Sequence, residues 1–98
     1  MYARFGEVKV KAGKLDEFVK VFRDEMVPQA RRQKGFKGVT VLADATANRA
    51  VLMSFWETEA DARAVEQSSG SFQTQVNKVA ALIESSPKTE YLKVYHQE

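Results

Sequence analysis

The side chains of this chain whose chemistry is most suggestive are Trp56 and Arg4. Indole offers a large flat apolar surface and one N–H donor, which suits a flat aromatic ligand. A guanidinium inside a pocket can hold a phenolate or enolate oxygen. Each has an ordinary alternative, because Trp56 can fill the core beneath a helix and the stem of Arg4 can pack while its head reaches solvent. Both interpretations stay open at this stage.

Other candidates lie near the C-terminus. Tyr91 and Tyr95 share one face of an alternating segment with Lys93. A phenol near an ammonium can act as an acid or base, although Tyr and Lys are also ordinary residues of an edge strand at a dimer surface. The only histidine, His96, is expected in a mobile tail. The absence of cysteine excludes disulfides, thiolate nucleophiles and zinc–thiolate sites.

Composition predicts one domain spanning residues 1–98, with 44% hydrophobic and 29% charged residues. The net charge of +2 is too weak to indicate a nucleic-acid partner. The longest apolar run, Val79–Ile83, is far shorter than a membrane span. Arg4, Glu7 and Lys9 are incompatible with a secretory signal at the N-terminus, so we expect a cytoplasmic protein.

The first half of the chain predicts a strand, a helix and a second strand. Period-two alternation over Tyr2–Val10 is typical of a strand, in which Gly6 makes either a bulge or a space for a ligand. Apolar residues at helical spacing predict a helix from Leu15, which Pro28 should kink or end near Met26 or Val27. A last polar turn over residues 31–34 should then end at glycine, before a strand over residues 36–42.

The second half repeats this order. A polar hairpin leads to a strand over Ala50–Trp56. Thr58 followed by Asp61 indicates a helix start, because the threonine hydroxyl can accept the hydrogen bond of the N3 amide. The remaining predicted elements are a helix to Val65, a helical piece over Phe72–Ile83 that ends before Pro87, and a strand over Glu90–Tyr95.

This order predicts an α+β fold of the ferredoxin-like βαββαβ type, with a four-stranded antiparallel sheet and both helices on one face. The other face would carry Val51, Met53 and Phe55. A bare apolar sheet face favours a partner, and a second copy of the chain is the simplest one. We therefore expect a homodimer.

Three segments resemble the antibiotic biosynthesis monooxygenase family: Val8–Lys14, Gly35–Val39 and Ser54–Ala62. Their order and spacing cover nearly the whole chain. The resemblance implies a dimeric α/β barrel with a small hydrophobic pocket between helices and sheet in each subunit. The residues expected to line it also belong to core-facing helix and strand positions, and they are Phe22, Met26, Leu52, Phe72 and Val76.

The haem-degrading branch of this family uses an Asn, a Trp and an iron-binding His. The corresponding positions here are Gly6, Val65 and Gln75, so none matches. The resemblance therefore argues against haem breakdown.

A second branch oxidises polyketide anthrones to quinones without metal or flavin, and it implies no protein-bound cofactor. Its Trp corresponds to Trp56, whereas its Asn and Tyr correspond to Leu52 and Ala62. Only the tryptophan of these three residues is thus retained in this chain.

Two functions stay open. The working hypothesis is a cofactor-independent monooxygenase for a small aromatic or quinol-type substrate, which Trp56 and Arg4 would orient. The alternative is a non-catalytic homodimer that binds a small hydrophobic molecule or has a structural role. An RNA-recognition module is rejected because the strand ending at Trp56 lacks the required glycine and aromatic spacing.

Overall fold

The computed structural model describes residues 1–65, 77, 79–84 and 87–98. The strands are β1 (Tyr2–Lys9), β2 (Phe36–Asp44), β3 (Arg49–Trp56) and β4 (Lys88–Lys93). The helices are α1 (Leu15–Val21), α2 (Val27–Arg31) and α3 (Glu59–Ala64), with a π-helical turn (Phe22–Met26) between α1 and α2. Asn77, Val79 and Ala80 are also helical.

The four strands form one antiparallel sheet in the order β2-β3-β1-β4. Strand β1 is central, and it pairs with β3 on one side and with β4 on the other. This arrangement confirms the predicted α+β, ferredoxin-like fold. Among the residues that the structure describes, no helix is long and apolar enough to cross a membrane.

Two local predictions in the second half are confirmed. Thr58 Oγ1 accepts a hydrogen bond from the Asp61 backbone N–H at 3.1 Å, which caps α3. The hairpin between β2 and β3 is closed by Asp44, whose carboxylate accepts hydrogen bonds from the backbone amides of Thr46 and Ala47.

Pro28 changes the helix rather than ending it. Because proline lacks an N–H, the carbonyl of Asp24 loses its usual helical partner. The chain widens into the π-helical turn just before Pro28, and α2 then continues to Arg31. The predicted disturbance near Met26 is therefore present. Of the expected last turn over residues 31–34, Arg31 belongs to α2, whereas residues 32–34 form a non-helical turn.

The C-terminal half departs from prediction in two places. Ile83 pairs with Val10 in a short β-bridge, so the helical piece that contains Val79 ends before it. Strand β4 begins and ends two residues earlier than predicted, and Tyr95 lies beyond it with 89% of its surface exposed. The sequence pattern missed both because backbone pairing with a distant strand decides where these elements end.

The helix-covered face of the sheet holds two apolar clusters. The first core cluster contains Val8, Val10, Phe18, Ala50, Val79 and Leu82. The second core cluster contains Trp56, Ala62 and Val65, against which Tyr2, Ala30, Phe36 and Tyr91 pack. The two clusters lie under different helices, and β1 runs beneath both.

The other face of the sheet carries an open apolar surface, as predicted. Met53 and Phe55 line a groove of about 490 Å³ together with Ala3 and Leu92. Leu92 is 50% exposed, which is unusual for a large apolar side chain on a sheet.

Candidate functional site

The sheet register settles the direction of Arg4. Alternation along β1 places Arg4 on the same face as Val8, which is buried in the first core cluster. Arg4 therefore points toward the helices. Its directly paired neighbours are Ser54 on β3 and Tyr91 on β4. Since opposed residues of antiparallel strands project to the same face, the three side chains lie in a row across the sheet.

We call Ser54, Arg4 and Tyr91 the polar row. On β1, Val8 belongs to the first core cluster and Tyr2 packs against the second. Arg4 lies between these two residues on the same face of the strand. The Nε atom of Arg4 and the hydroxyl of Tyr91 are both buried. The polar row therefore introduces hydrogen-bonding groups between two apolar regions beneath the helices.

Gly6 lies next to Arg4 on the same face of β1 and is buried. Strand β1 keeps its register with both neighbours through Gly6, so the predicted alternative of a bulge is wrong. The irregularity in the sheet lies instead between Phe36 and Gly38 of β2. A Cβ atom placed on Gly6 would meet only the Leu52 carbonyl oxygen, at 3.8 Å, among the described residues. Among the described residues, Gly6 therefore puts no side chain beside the polar row and has no side chain packed closely against it.

Trp56 is fully buried at the end of β3. Its ring makes an edge-to-face contact with Phe36, with centroids 5.5 Å apart. Its Nε1–H donates a hydrogen bond to Ser54 Oγ at 2.8 Å. The indole donor is thus used inside the protein. Because Ser54 accepts this bond, its own O–H is available to donate elsewhere in the polar row.

Tyr91 is covered by a cation from α3. The guanidinium carbon of Arg63 lies 4.3 Å from the centroid of the Tyr91 ring, a cation–π distance. Arg63 also forms an ion pair with Glu59 one helical turn earlier, at 3.4 Å. The ammonium of Lys93, which the sequence placed on one face with Tyr91 and Tyr95, lies over the exposed ring of Tyr95 at 5.6 Å.

The five predicted pocket-lining residues do not all lie in the part of the chain that the structure describes. Met26 and Leu52 pack against the first core cluster, and Phe22 is half-buried in the π-helical turn. Phe72 and Val76, as well as the Gln75 position used to test haem chemistry, lie outside the described residues. Within the described part of the chain, no three His, Asp or Glu side chains are grouped closely enough to hold a metal ion.

Sequence reasoning missed Ser54 and Arg63. Ser54 could have been predicted from the sequence, because it precedes Trp56 by two residues and so lies on the same face of the strand. Arg63 could not have been predicted, since its contact with Tyr91 joins α3 to β4 and depends on how the helix packs on the sheet.

The sequence model of the antibiotic biosynthesis monooxygenase family matches residues 1–90. The chain belongs to this family. The match confirms the resemblance inferred from the three sequence segments. No curated protein sequence shows significant similarity to the chain.

Solved structures of antibiotic biosynthesis monooxygenase proteins share the fold. A Nitrosomonas europaea protein assigned to the family is 24% identical, with a TM-score of 0.82 over 98% of this chain and 100% of its own. A Bordetella bronchiseptica protein assigned to the same family is 20% identical, with a TM-score of 0.84 over 97% of each chain. SnoaB, a cofactor-independent oxygenase from Streptomyces nogalater, is 20% identical, with a TM-score of 0.80 over 98% of this chain and 94% of its own.

Proposed function

We propose that this protein is a cofactor-independent monooxygenase for a small aromatic or quinol-type substrate, bound beneath the helices beside Gly6. The observation that carries the proposal is the polar row on the helix-covered face of the sheet, with an apolar cluster on either side. Membership of the antibiotic biosynthesis monooxygenase family supports the reaction class. The description of SnoaB as a cofactor-independent oxygenase supports the absence of a required cofactor.

In this proposal the substrate carries the redox chemistry. In an anthrone, the ring methylene opposite the carbonyl loses a proton, and the resulting carbanion reduces O₂ to a peroxide anion at that carbon. Return of the proton to this peroxide gives the hydroperoxide. Loss of water then leaves a carbonyl, so one CH₂ group and one O₂ become one C=O group and one H₂O. Arg4 would stabilise the negative charge on the ring oxygen during proton loss.

Trp56 would act by two routes. Its hydrogen bond fixes the Ser54 hydroxyl beside Arg4, and its buried ring keeps water away from this end of the sheet. Phe22, Met26 and Leu52 remain the proposed apolar lining, together with Phe72 and Val76. Excluding water strengthens the interaction between Arg4 and an anionic substrate, because the local dielectric constant falls.

The test is oxygen uptake by purified protein with a panel of hydroquinones and anthrones. We expect uptake above the autoxidation blank, and a loss of roughly tenfold or more in Arg4→Ala, on the scale of one charge-assisted hydrogen bond. Arg23→Ala is the matched control, because Arg23 is an exposed arginine on the π-helical turn. Trp56→Phe should reduce uptake while keeping an aromatic ring in place. Uptake equal to the blank across the panel would overturn the proposal.

A non-catalytic binding protein is the second candidate. It is favoured by the full burial of Trp56 and by the use of its N–H inside the protein. Binding of the same aromatic compounds without oxygen uptake would support this function over the first.

We also propose that the open apolar face pairs with the same face of a second copy. Met53, Phe55 and Leu92 give this surface the character of half a core, and a homodimer would bury it. Sedimentation velocity at micromolar concentration should show a dimer, and a monomer would overturn this proposal. A cytoplasmic location and the absence of a nucleic-acid partner stay predictions from composition and charge.

A further inference from the structure

Tyr91 is as well placed for ligand binding as Arg4. The two residues are directly paired across β1 and β4, and both project beneath the helices. The Tyr91 hydroxyl is a buried atom, although the residue as a whole is only half-buried. Its phenol therefore points its polar end into the protein, on the same face of the sheet as Arg4.

The polar row is rich in groups that donate hydrogen bonds. Arg4 offers N–H groups alone, and Tyr91 offers an O–H. Ser54 accepts from the Trp56 indole, which leaves its own O–H able to donate. A ligand atom that suits donors of this kind is an acceptor, and an anionic oxygen matches a guanidinium best.

Arg63 fixes the position of the Tyr91 ring. Its guanidinium stacks on that ring, while its ion pair with Glu59 holds it against α3. The ring therefore lies between the sheet and a cation.

We infer that the polar row is a subsite for the ionised oxygen of a hydroxylated aromatic ligand, in which Arg4 and Tyr91 contact that oxygen and Arg63 positions Tyr91. The inference takes its location from the proposed function but requires no turnover. It adds Tyr91 as a specificity-determining residue and the phenolate as the bound form of the ligand.

The test compares 4-nitrophenol with its methyl ether, 4-nitroanisole, which cannot ionise. Binding is measured by the quenching of Trp56 fluorescence, because Trp56 is the only tryptophan of the sequence. The visible absorbance band of the phenolate reports the ionisation state of bound nitrophenol. We expect nitrophenol to bind about tenfold more tightly than nitroanisole, with the phenolate band appearing at lower pH than in buffer.

Tyr91→Phe keeps the ring and removes the hydroxyl, so the preference for nitrophenol should fall by about tenfold. Tyr95→Phe is the matched control, because Tyr95 is exposed and lies beyond β4, and it should change nothing. Arg63→Gln should lower the preference by about threefold, and Arg63→Lys should restore part of it, since lysine keeps the cation. Thermal unfolding of each variant checks that it is folded. If Tyr91→Phe does not fold, the comparison of Arg63→Gln with the unmodified protein tests the inference instead.

Equal affinity for nitrophenol and nitroanisole, or equal behaviour of Tyr91→Phe and Tyr95→Phe, would overturn the inference. Failure of the proposed function looks different. Selective nitrophenol binding without oxygen uptake would leave the subsite in place and remove the monooxygenase. Oxygen uptake that depends on Arg4 but is unchanged in Tyr91→Phe and Arg63→Gln would support the monooxygenase and remove this subsite.

Discussion

The two faces of the sheet are built from the same strands but differ in kind. On β3, Ser54 and Trp56 point beneath the helices, whereas Met53 and Phe55 point to the open face. The covered face combines apolar clusters with a polar row. The corresponding end of the open face presents mainly apolar side chains in a shallow groove.

This difference indicates a division of roles. Hydrogen-bonding groups gain strength when they are sheltered from water, so the covered face suits ligand binding. An open apolar face gains most from being buried, so it suits association with another copy. The residues with the largest effect on folding within one chain should therefore lie on the covered face, and those with the largest effect on association on the open face.

Trp56→Ala should have the largest effect on stability. Trp56 is fully buried, and removing its ring leaves a cavity between Phe36 and α3. We expect a loss of about 3–5 kcal/mol in the free energy of unfolding, measured by urea denaturation. Leu92→Ala on the open face, where Leu92 is half-exposed, should cost about 1 kcal/mol or less in dilute protein. Similar losses of unfolding free energy in both variants would show that the two faces contribute equally to the stability of one chain.

Phe55→Glu should weaken association more than folding. It places a carboxylate in the middle of the open apolar face, where pairing with a second copy would bury it. We expect the dimer dissociation constant to rise by about a hundredfold, measured by sedimentation equilibrium. Lys20→Glu introduces the same side chain at an exposed site on α1 and should leave association unchanged. An unchanged dissociation constant in Phe55→Glu would place the interface elsewhere.

Gly35→Ala and Gly13→Ala test how α3 is held on the covered face. Both glycines have positive φ, 84° and 77°, so each substitution strains the backbone by about 1 kcal/mol. At Gly35 the new Cβ would also overlap the Asp61 side chain at the start of α3, whereas a Cβ on Gly13 would meet no other atom of the described residues within 4 Å. We therefore expect Gly35→Ala to cost about 1–3 kcal/mol more than Gly13→Ala in denaturant titrations. Equal costs would mean that α3 moves aside freely.

Asp24→Asn should have the smallest effect, because Asp24 lies on the π-helical turn rather than on the sheet. A hydrogen bond from Arg23, 2.9 Å between Nε and Oδ1, is the main cause that lowers the pKa of the Asp24 carboxyl. Since the folded-state pKa is depressed, any contribution to stability is present above the usual carboxyl range and fades as pH falls below about 4. Both side chains are exposed, so the melting temperatures of the two proteins should agree within error at pH 7 and at pH 3. A clear difference at pH 7 alone would assign the pair a structural role.

The order of strands and helices followed from the sequence, because hydrophobic periodicity and capping depend on neighbours a few residues apart. The Thr58 cap and the apolar phase of Met53 and Phe55 are examples. The response to Pro28 was only partly predicted, since a π-helical turn and a chain break accommodate the same missing N–H.

The candidate site depended on tertiary structure. The sequence alternation fixed which residues share a face with Arg4, but only the packing of the helices decided that this face is covered. Tyr91 joins Arg4 from the opposite end of the chain through the pairing of β1 with β4. Arg63 reaches Tyr91 because α3 packs across β4. The sequence by itself therefore determined the elements and the family, whereas strand pairing and helix packing between distant segments decided which side chains form the polar row.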